Sequence, residues 1–349
     1  MARQENRTPS RIVRDGTAPA AALAFAAGAV ALWSTNALVG KSLLENHPVS
    51  LVQFLQFTGA ALVFALIRLR TLPSPLVGEG GSARSAETDE GCWPDRRRCQ
   101  AGTPLIRRLR RHLLPQGEKG ETTNLAAFAV GFIGLVGTMV LQYIAFAAMP
   151  VIEANLVAYT WPLMVAAAII VLDSPRRPVL LGITAALGFL GVALVISGGR
   201  EQSWFQGNPA GYLAAFGSAL CMAFYSIAVG RLATPPDRFL LPSALAGVAL
   251  TFAWCLRDGV AWPVGVYVVA GLYLGAGPMG LGYYFWSRAL KLDRGGKVAV
   301  AAYLTPIAST LLLALSGETL TTTAVAGAVL VIGSCIAVGI EGPEAGNNA

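Results

Sequence analysis

Apolar runs of membrane-crossing length follow one another along nearly the whole of this 349-residue chain, and in lipid each run must satisfy its own backbone hydrogen bonds. None of them alternates apolar and polar residues as a half-wetted strand would, so all are read as helices. Ten such segments are placed at about 20–44, 51–69, 125–148, 151–172, 179–197, 211–231, 240–256, 263–290, 297–316 and 323–340, most of them close to the roughly 20 residues that a bilayer core requires. With 54% hydrophobic and only 13% charged residues, the chain has too little polar side chain to wet the surface of a soluble domain. The expected fold class is all-α, a polytopic membrane protein of ten transmembrane helices.

The fourth segment, VIEANLVAYTWPLMVAAAIIVL, holds an acid, an amide, two aromatics and a proline inside an apolar run. Polar groups at that depth must face protein or a water-filled cavity. Its Tyr159-x-x-Pro162 returns in the ninth segment as Tyr303-x-x-Pro306, at an offset of about 144 residues, while Leu23-Ala24 and Val39-Gly40-Lys41 return as Leu213-Ala214 and Val229-Gly230-Arg231 at about 190. The difference of about 46 is close to the length of a polar stretch between the second and third segments. Two related halves follow, 20–197 and 198–340, the first interrupted at about 71–123, with tails 1–19 and 341–349. Five crossings per half, an odd number, set the two halves antiparallel as an inverted repeat.

Basic residues test the orientation. With the N-terminus inside, the cytoplasmic ends collect Arg68, Arg70, Arg176, Arg177, Arg231, Arg238, Arg288, Lys291, Arg294 and Lys297 besides four arginines ahead of the first segment, against Lys41, Arg200 and Arg257 on the other side. That asymmetry places both termini in the cytoplasm of a bacterial-type inner membrane and accounts for the net charge of +7 without nucleic acid. The stretch 71–123 is rich in Gly, Pro, Ser, Arg and Glu, has no apolar run to build a core, and resembles a translated repeat element inserted in the gene; disorder and no part in transport are expected of it. Cys92 and Cys99 within it have no second ligand pair, and no metal or cofactor is expected.

Helical periodicity singles out the residues facing a common centre. Asn155, Tyr159 and Pro162 share a face of the fourth segment, as Tyr303, Pro306 and Thr310 do in the ninth. Trp33, Asn36 and Gly40 form a stripe on the first, Gln142 and Phe146 on the third, Cys221 and Tyr225 on the sixth, and Tyr273, Gly277 and Tyr284 on the eighth, with Tyr283 and Trp286 nearby. Hydroxyl, amide and indole groups among rings are what a cavity needs to orient an amphipathic solute, although the same groups also join helices to one another. The prolines are read as kinks that permit bending. Lys41 and Glu153, on the same side near helix ends, either pair across the cavity mouth or are solvated separately.

The pieces Ala31-Leu32-Trp33-Ser34-Thr35-Asn36, Ile152-Glu153-Ala154-Asn155-Leu156-Val157-Ala158-Tyr159-Thr160-Trp161-Pro162 and Ala301-Ala302-Tyr303-Leu304-Thr305-Pro306 resemble the drug/metabolite transporter superfamily, its EamA-type ten-helix members, and within them the aromatic amino-acid exporter branch. The resemblance covers nearly the whole chain except the 71–123 stretch. It implies alternating access through a central cavity lined mainly by the first, third, fourth, sixth, eighth and ninth helices, with the fifth and tenth peripheral. Taken together, the readings name Trp33, Asn36, Gln142, Tyr143, Asn155, Tyr159, Trp161, Tyr225, Tyr284, Trp286 and Tyr303 as substrate-binding candidates, and Lys41, Glu153, Pro162 and Pro306 as gating ones.

The expected function is export of small metabolites, most of all amino acids with aromatic or other apolar side chains, by a monomer or weak homodimer in contact with membrane lipid. Nucleotide sugars and quaternary cations are the alternative cargoes on the same scaffold. A membrane-embedded enzyme is disfavoured, since the chain has no H-E-x-x-H or G-x-S-x-G and only two histidines, His47 and His112, outside the apolar runs. One consequence is directly testable: replacing 72–118 by a short polar linker leaves membrane insertion and solute flux near those of the parent, and loss of either on deletion shows that the stretch is structural.

Overall fold

The computed structural model describes residues 17–71, 125–172, 177–198, 208–262, 264–293, 298–315 and 321–339. The stretch 72–124, with Cys92 and Cys99, and most of both tails lie outside the described residues. All the regular structure among the described residues is helical. Seven helices are long and apolar enough to cross a membrane: Val49–Arg70, Leu125–Ala148, Val151–Leu172, Pro178–Ser197, Pro209–Arg231, Pro236–Asp258 and Val266–Leu292. Three shorter apolar helices, Ala20–Ser34, Val298–Leu312 and Thr322–Ala337, occupy the first, ninth and tenth segments. The outward faces carry large apolar side chains, with Leu213 73% and Val179 72% exposed, as a lipid-facing surface requires. The molecule is a multi-pass, all-α membrane protein.

Helix ends follow local chemistry. Pro178, Pro209 and Pro236 begin their helices, at the one position where a missing N–H costs nothing. Asn208 caps the sixth by accepting the Ala210 N–H at 3.0 Å, and Asp293 accepts the Val298 N–H at 2.8 Å where the ninth begins. Hydroxyls inside the helices bond back to their own backbone, as Thr58 to Phe54, Ser243 to Phe239 and Thr251 to Gly247, which lets polar side chains sit in apolar runs.

The packing pairs the second segment with the seventh and the eighth, the fifth with the tenth, the first with the eighth, and the third with the sixth. Small residues bring two of these pairs to backbone contact. A Cβ on Gly191 would meet the Gly327 carbonyl at 2.7 Å, and one on Gly327 would meet the Gly191 carbonyl. Between the second and eighth segments, a Cβ on Gly275 would collide with the Gln56 carbonyl and with Gly59, and one on Gly59 with the Leu272 carbonyl. Gly59 and Gly275 thus serve close approach, where dispersion between backbones holds helices together in the absence of a hydrophobic drive. Gly275→Ala is therefore expected to lower stability by about 1–3 kcal/mol, read as a lower midpoint of thermal unfolding in detergent; a parent-like midpoint would contradict the backbone contact.

Candidate functional site

Five helix irregularities gather around one space. The first segment breaks at Thr35, between helices Thr17–Ser34 and Asn36–Asn46. The fourth breaks at Tyr159 and Thr160, between Val151–Ala158 and Trp161–Leu172, and the ninth at Ala302 and Tyr303, between Val298–Ala301 and Leu304–Leu315. Pro162 and Pro306 follow these last two breaks, and each lacks the N–H that would bond the residue four before it, Ala158 and Ala302 respectively. The Ala302 carbonyl instead takes the Thr305 N–H at 3.0 Å. The third and eighth segments contain π-helical turns, Phe132–Gly137 and Gly275–Leu281, a geometry frequent at functional sites.

Side-chain bonds, some across helices and some local, brace the breaks. Ser309 donates to the Ser34 carbonyl at 2.7 Å, Thr35 Oγ1 lies 2.9 Å from the Tyr273 hydroxyl, and the Trp33 indole N–H donates to the Pro278 carbonyl at 2.9 Å. Thr160 turns its hydroxyl onto the Val157 carbonyl at 2.7 Å. Trp33 thus presents its ring to the centre while its N–H is engaged elsewhere.

The enclosed space has a volume of about 700 Å³, within the range of small-molecule sites. Of the residues singled out in the sequence, Trp33, Asn36, Gln142, Tyr143, Asn155, Tyr159, Trp161 and Pro306 line it. Thr138, Ser218, Thr305 and Ser309 add hydroxyl-bearing residues that sequence periodicity did not single out, and Thr310 joins them. Among the described residues the wall carries no Lys, Arg, His, Asp or Glu. The cavity reaches the bundle end formed by Leu44, Pro150, Gly198 and Thr321. Val195 to Gly198 of the fifth segment and Thr321 and Ala324 at the start of the tenth line it there, although the family resemblance puts both helices at the periphery. The fifth packs on the fourth and the ninth, so its end closes the gap between these two walls.

Four of the substrate-binding candidates, and two of the gating ones, lie away from the cavity. Tyr225 is fully buried, with its hydroxyl 2.6 Å from Ser287 Oγ and its ring laid against Gly134, where a Cβ would overlap it. Trp286 is fully buried and donates its indole N–H to Ser226 Oγ at 3.2 Å. These two bonds cross-link neighbouring residues of the sixth and eighth segments, so both polar groups are used up in holding helices. Tyr303 is fully buried against Val192, Val300 and Val331, in a notch left by Gly188. The turn at Ala302 and Tyr303 breaks the helical register assumed from the sequence, and the ring leaves the face that Pro306 and Thr310 share. Tyr284 is half-buried beside Phe285, with ring centroids 6.2 Å apart. Pro162 is buried behind the wall. Glu153 is buried and accepts a hydrogen bond from the Tyr212 hydroxyl, tying the fourth segment to the sixth; the side chain of Lys41 lies outside the described residues.

At its deep end the cavity stops on rings. Trp33 and Trp161 lie 5.3 Å and 5.5 Å from Trp286, and Tyr283 lies 6.0 Å from Trp33 and 5.5 Å from Tyr225. Centroid spacings and tilted or edge-on geometries of this kind are the favourable ones for aromatic pairs. Among the described residues no set of His, Cys, Asp and Glu is grouped to hold a metal.

A multi-pass helical bundle with a solute-sized cavity, open toward one end and stopped by rings at the other, has the architecture of a membrane transporter. Residues 209–340 match the EamA-like transporter family. The aromatic amino acid exporter YddG of Ancylobacter novellus is 34% identical over 215 residues, which cover 59% of this chain and 74% of that protein. A solved crystal structure superposes with a TM-score of 0.69 at 26% identity, covering 91% of this chain and 96% of the other. The chain belongs to the EamA-like transporter family of the drug/metabolite transporter superfamily.

The contrast between wall and support yields a test. Trp286→Ala and Tyr303→Ala remove fully buried rings and are expected to cost about 3–5 kcal/mol, seen as large drops in the thermal unfolding midpoint, whereas Asn155→Ala on the wall unfolds near the parent. Parent-like unfolding of both ring variants would place these rings outside the packed core.

Proposed function

We propose that the protein exports amino acids with aromatic or other apolar side chains across a bacterial-type inner membrane by alternating access. The observation that carries this reading is the wall itself, in which the rings of Trp33, Tyr143, Tyr159 and Trp161 stand among the amides of Asn36, Gln142 and Asn155 and carry no formal charge among the described residues. Such a surface takes a net-neutral amphipathic solute: rings pack on its apolar side chain while amides and hydroxyls meet its zwitterionic end. A quaternary cation or a nucleotide sugar brings a net charge, whose burial without a counter-charge costs several kcal/mol. The identity of the relative, an aromatic amino acid exporter, supports the same substrate class.

The transport cycle we propose rests on two halves of five crossings each, 20–197 and 198–340, inverted with respect to one another, with both termini in the cytoplasm. The packing supports the plan: shifting by five turns the pairing of the first and eighth segments into that of the sixth and third, and maps the pairs second–seventh and fifth–tenth onto themselves. The breaks before Pro162 and Pro306 supply the hinges. With the N-terminus inside, the mouth at Leu44, Pro150 and Gly198 faces outward and the ring floor of Trp33, Trp161 and Trp286 closes the inner side. Glu153, held by the Tyr212 hydroxyl near the mouth, belongs in this reading to the outer gate, which closes as the floor opens.

Counterflow of labelled Phe in proteoliposomes, competed with Trp, Met, a nucleotide sugar and methyl viologen, tests the reading. Competition by Trp and Met alone is expected. Tyr159→Ala is expected to weaken Phe binding about 5- to 150-fold, the loss of one stacking or hydrogen-bonding contact worth roughly 1–3 kcal/mol. Absence of Phe flux, or inhibition of it by the nucleotide sugar or methyl viologen as strong as that by Trp, would overturn the substrate class.

A further inference from the structure

The second segment contributes no residue to the cavity wall, yet it places two glutamines in the core behind it. Gln53 and Gln56 are 0% and 1% exposed. Gln53 Nε2 donates to Gln56 Oε1 at 2.5 Å, and Gln56 Nε2 donates to the Tyr143 hydroxyl at 2.5 Å. Tyr143, itself almost wholly buried, forms part of the wall, and its hydroxyl sits beside Gly40, where a Cβ would come within 3.2 Å of it. Gly40 and Tyr143 both line the cavity, and the glycine sets no side chain beside the hydroxyl.

The chain has a direction. Turning both amides over would reverse every bond and leave the Gln53 amino group, with its two donors, at the buried spot that Gln53 Oε1 now occupies with no hydrogen-bond partner. An unpartnered buried donor pair costs more than an under-used carbonyl oxygen, so the amides settle with their amino groups toward Tyr143. The tyrosine oxygen then accepts from Gln56, and its own proton is left to donate.

We infer that Gln53 and Gln56 are positioning residues that hold the Tyr143 hydroxyl as a hydrogen-bond donor to the carboxylate of the transported amino acid. This rests on the substrate reading above. In a wall with no basic side chain among the described residues, a carboxylate has to be met by neutral donors, and a phenol whose lone pair is already occupied is a committed one. The relay makes the site select for the carboxylate end of the solute, while the rings select for its side chain.

The test uses the full-length protein in proteoliposomes, with labelled Phe displaced by unlabelled Phe or by 2-phenylethanol, which keeps the ring, carries no net charge and lacks the carboxylate. Tyr143→Phe removes the donor and is expected to weaken Phe about 10- to 100-fold, the range of a hydrogen bond to a charged group, while 2-phenylethanol shifts less than about 3-fold. Gln56→Glu supplies an acceptor that captures the phenol proton, and it is expected to reproduce the Tyr143→Phe profile. Gln56→Leu is expected to lose part of the same selectivity, and the double variant Tyr143→Phe/Gln56→Leu to be no worse than Tyr143→Phe alone, because the glutamine acts through the tyrosine. If Gln56→Glu fails to fold, Gln56→Leu completes the cycle. Equal losses for both ligands, or additive losses in the double variant, would overturn the relay while leaving the substrate class standing. A parent that does not bind Phe would overturn both.

Discussion

Backbone hydrogen bonding in lipid is the constraint on which this structure depends. A peptide group facing hydrocarbon has no water to bond, so a membrane helix can stop or loosen only where protein or a cavity takes over its donors and acceptors. Each irregularity around the centre obeys this. Thr35, Tyr159 with Thr160, Ala302 with Tyr303, and the π-turns at Phe132–Gly137 and Gly275–Leu281 adjoin residues of the cavity wall or bond to them. The helices that add nothing to the wall, Val49–Thr71 and Pro236–Asp258, run without a break. The site exists where the helices are imperfect, and the imperfections are tolerated because the site is there.

Rings and small residues divide the remaining work. Backbones approach at Gly59 with Gly275 and at Gly191 with Gly327, which fixes the second and eighth segments, and the fifth and tenth, as close-packed pairs. Trp286 and Tyr225, cross-bonded to Ser226 and Ser287, lock the sixth and eighth segments beneath the cavity. Trp33 and Trp161 rest on that lock and form the floor the solute would meet. A floor of tilted and edge-on rings is held largely by dispersion and shape.

Much of the wall was legible from spacing. Asn155 with Tyr159, and Trp33 with Asn36 and Gly40, share helical faces in the sequence and line one cavity in the structure. The reading went astray where the chain leaves the helix, since periodicity carries a side chain's direction only as far as the helix continues. Tyr303 sits in such a turn, and the empty volume at Gly188 decided where its ring went. Tyr225 and Trp286 have the same residue types as the wall but lie beneath the cavity, bonded to Ser287 and Ser226 between the sixth and eighth segments. Gln53 and Gln56 gave a visible signal, two amides three residues apart in an apolar run, but no periodicity indicates that they back a tyrosine of the third segment.

What the sequence by itself determined is the class of object: apolar runs of bilayer length force helices, the scarcity of charge forces a lipid-facing surface, and the prolines beside Tyr159 and Tyr303 mark where two of those helices break. These follow from solvation and backbone chemistry, which act locally and can be read one segment at a time. Only the tertiary structure decided which polar groups are spent on other helices and which remain for a solute, because a hydroxyl or indole N–H is committed by whatever lies across from it. Trp33 shows both limits: its position on the wall was readable from its helix, but the loss of its N–H to the Pro278 carbonyl, 245 residues away in the chain, was not.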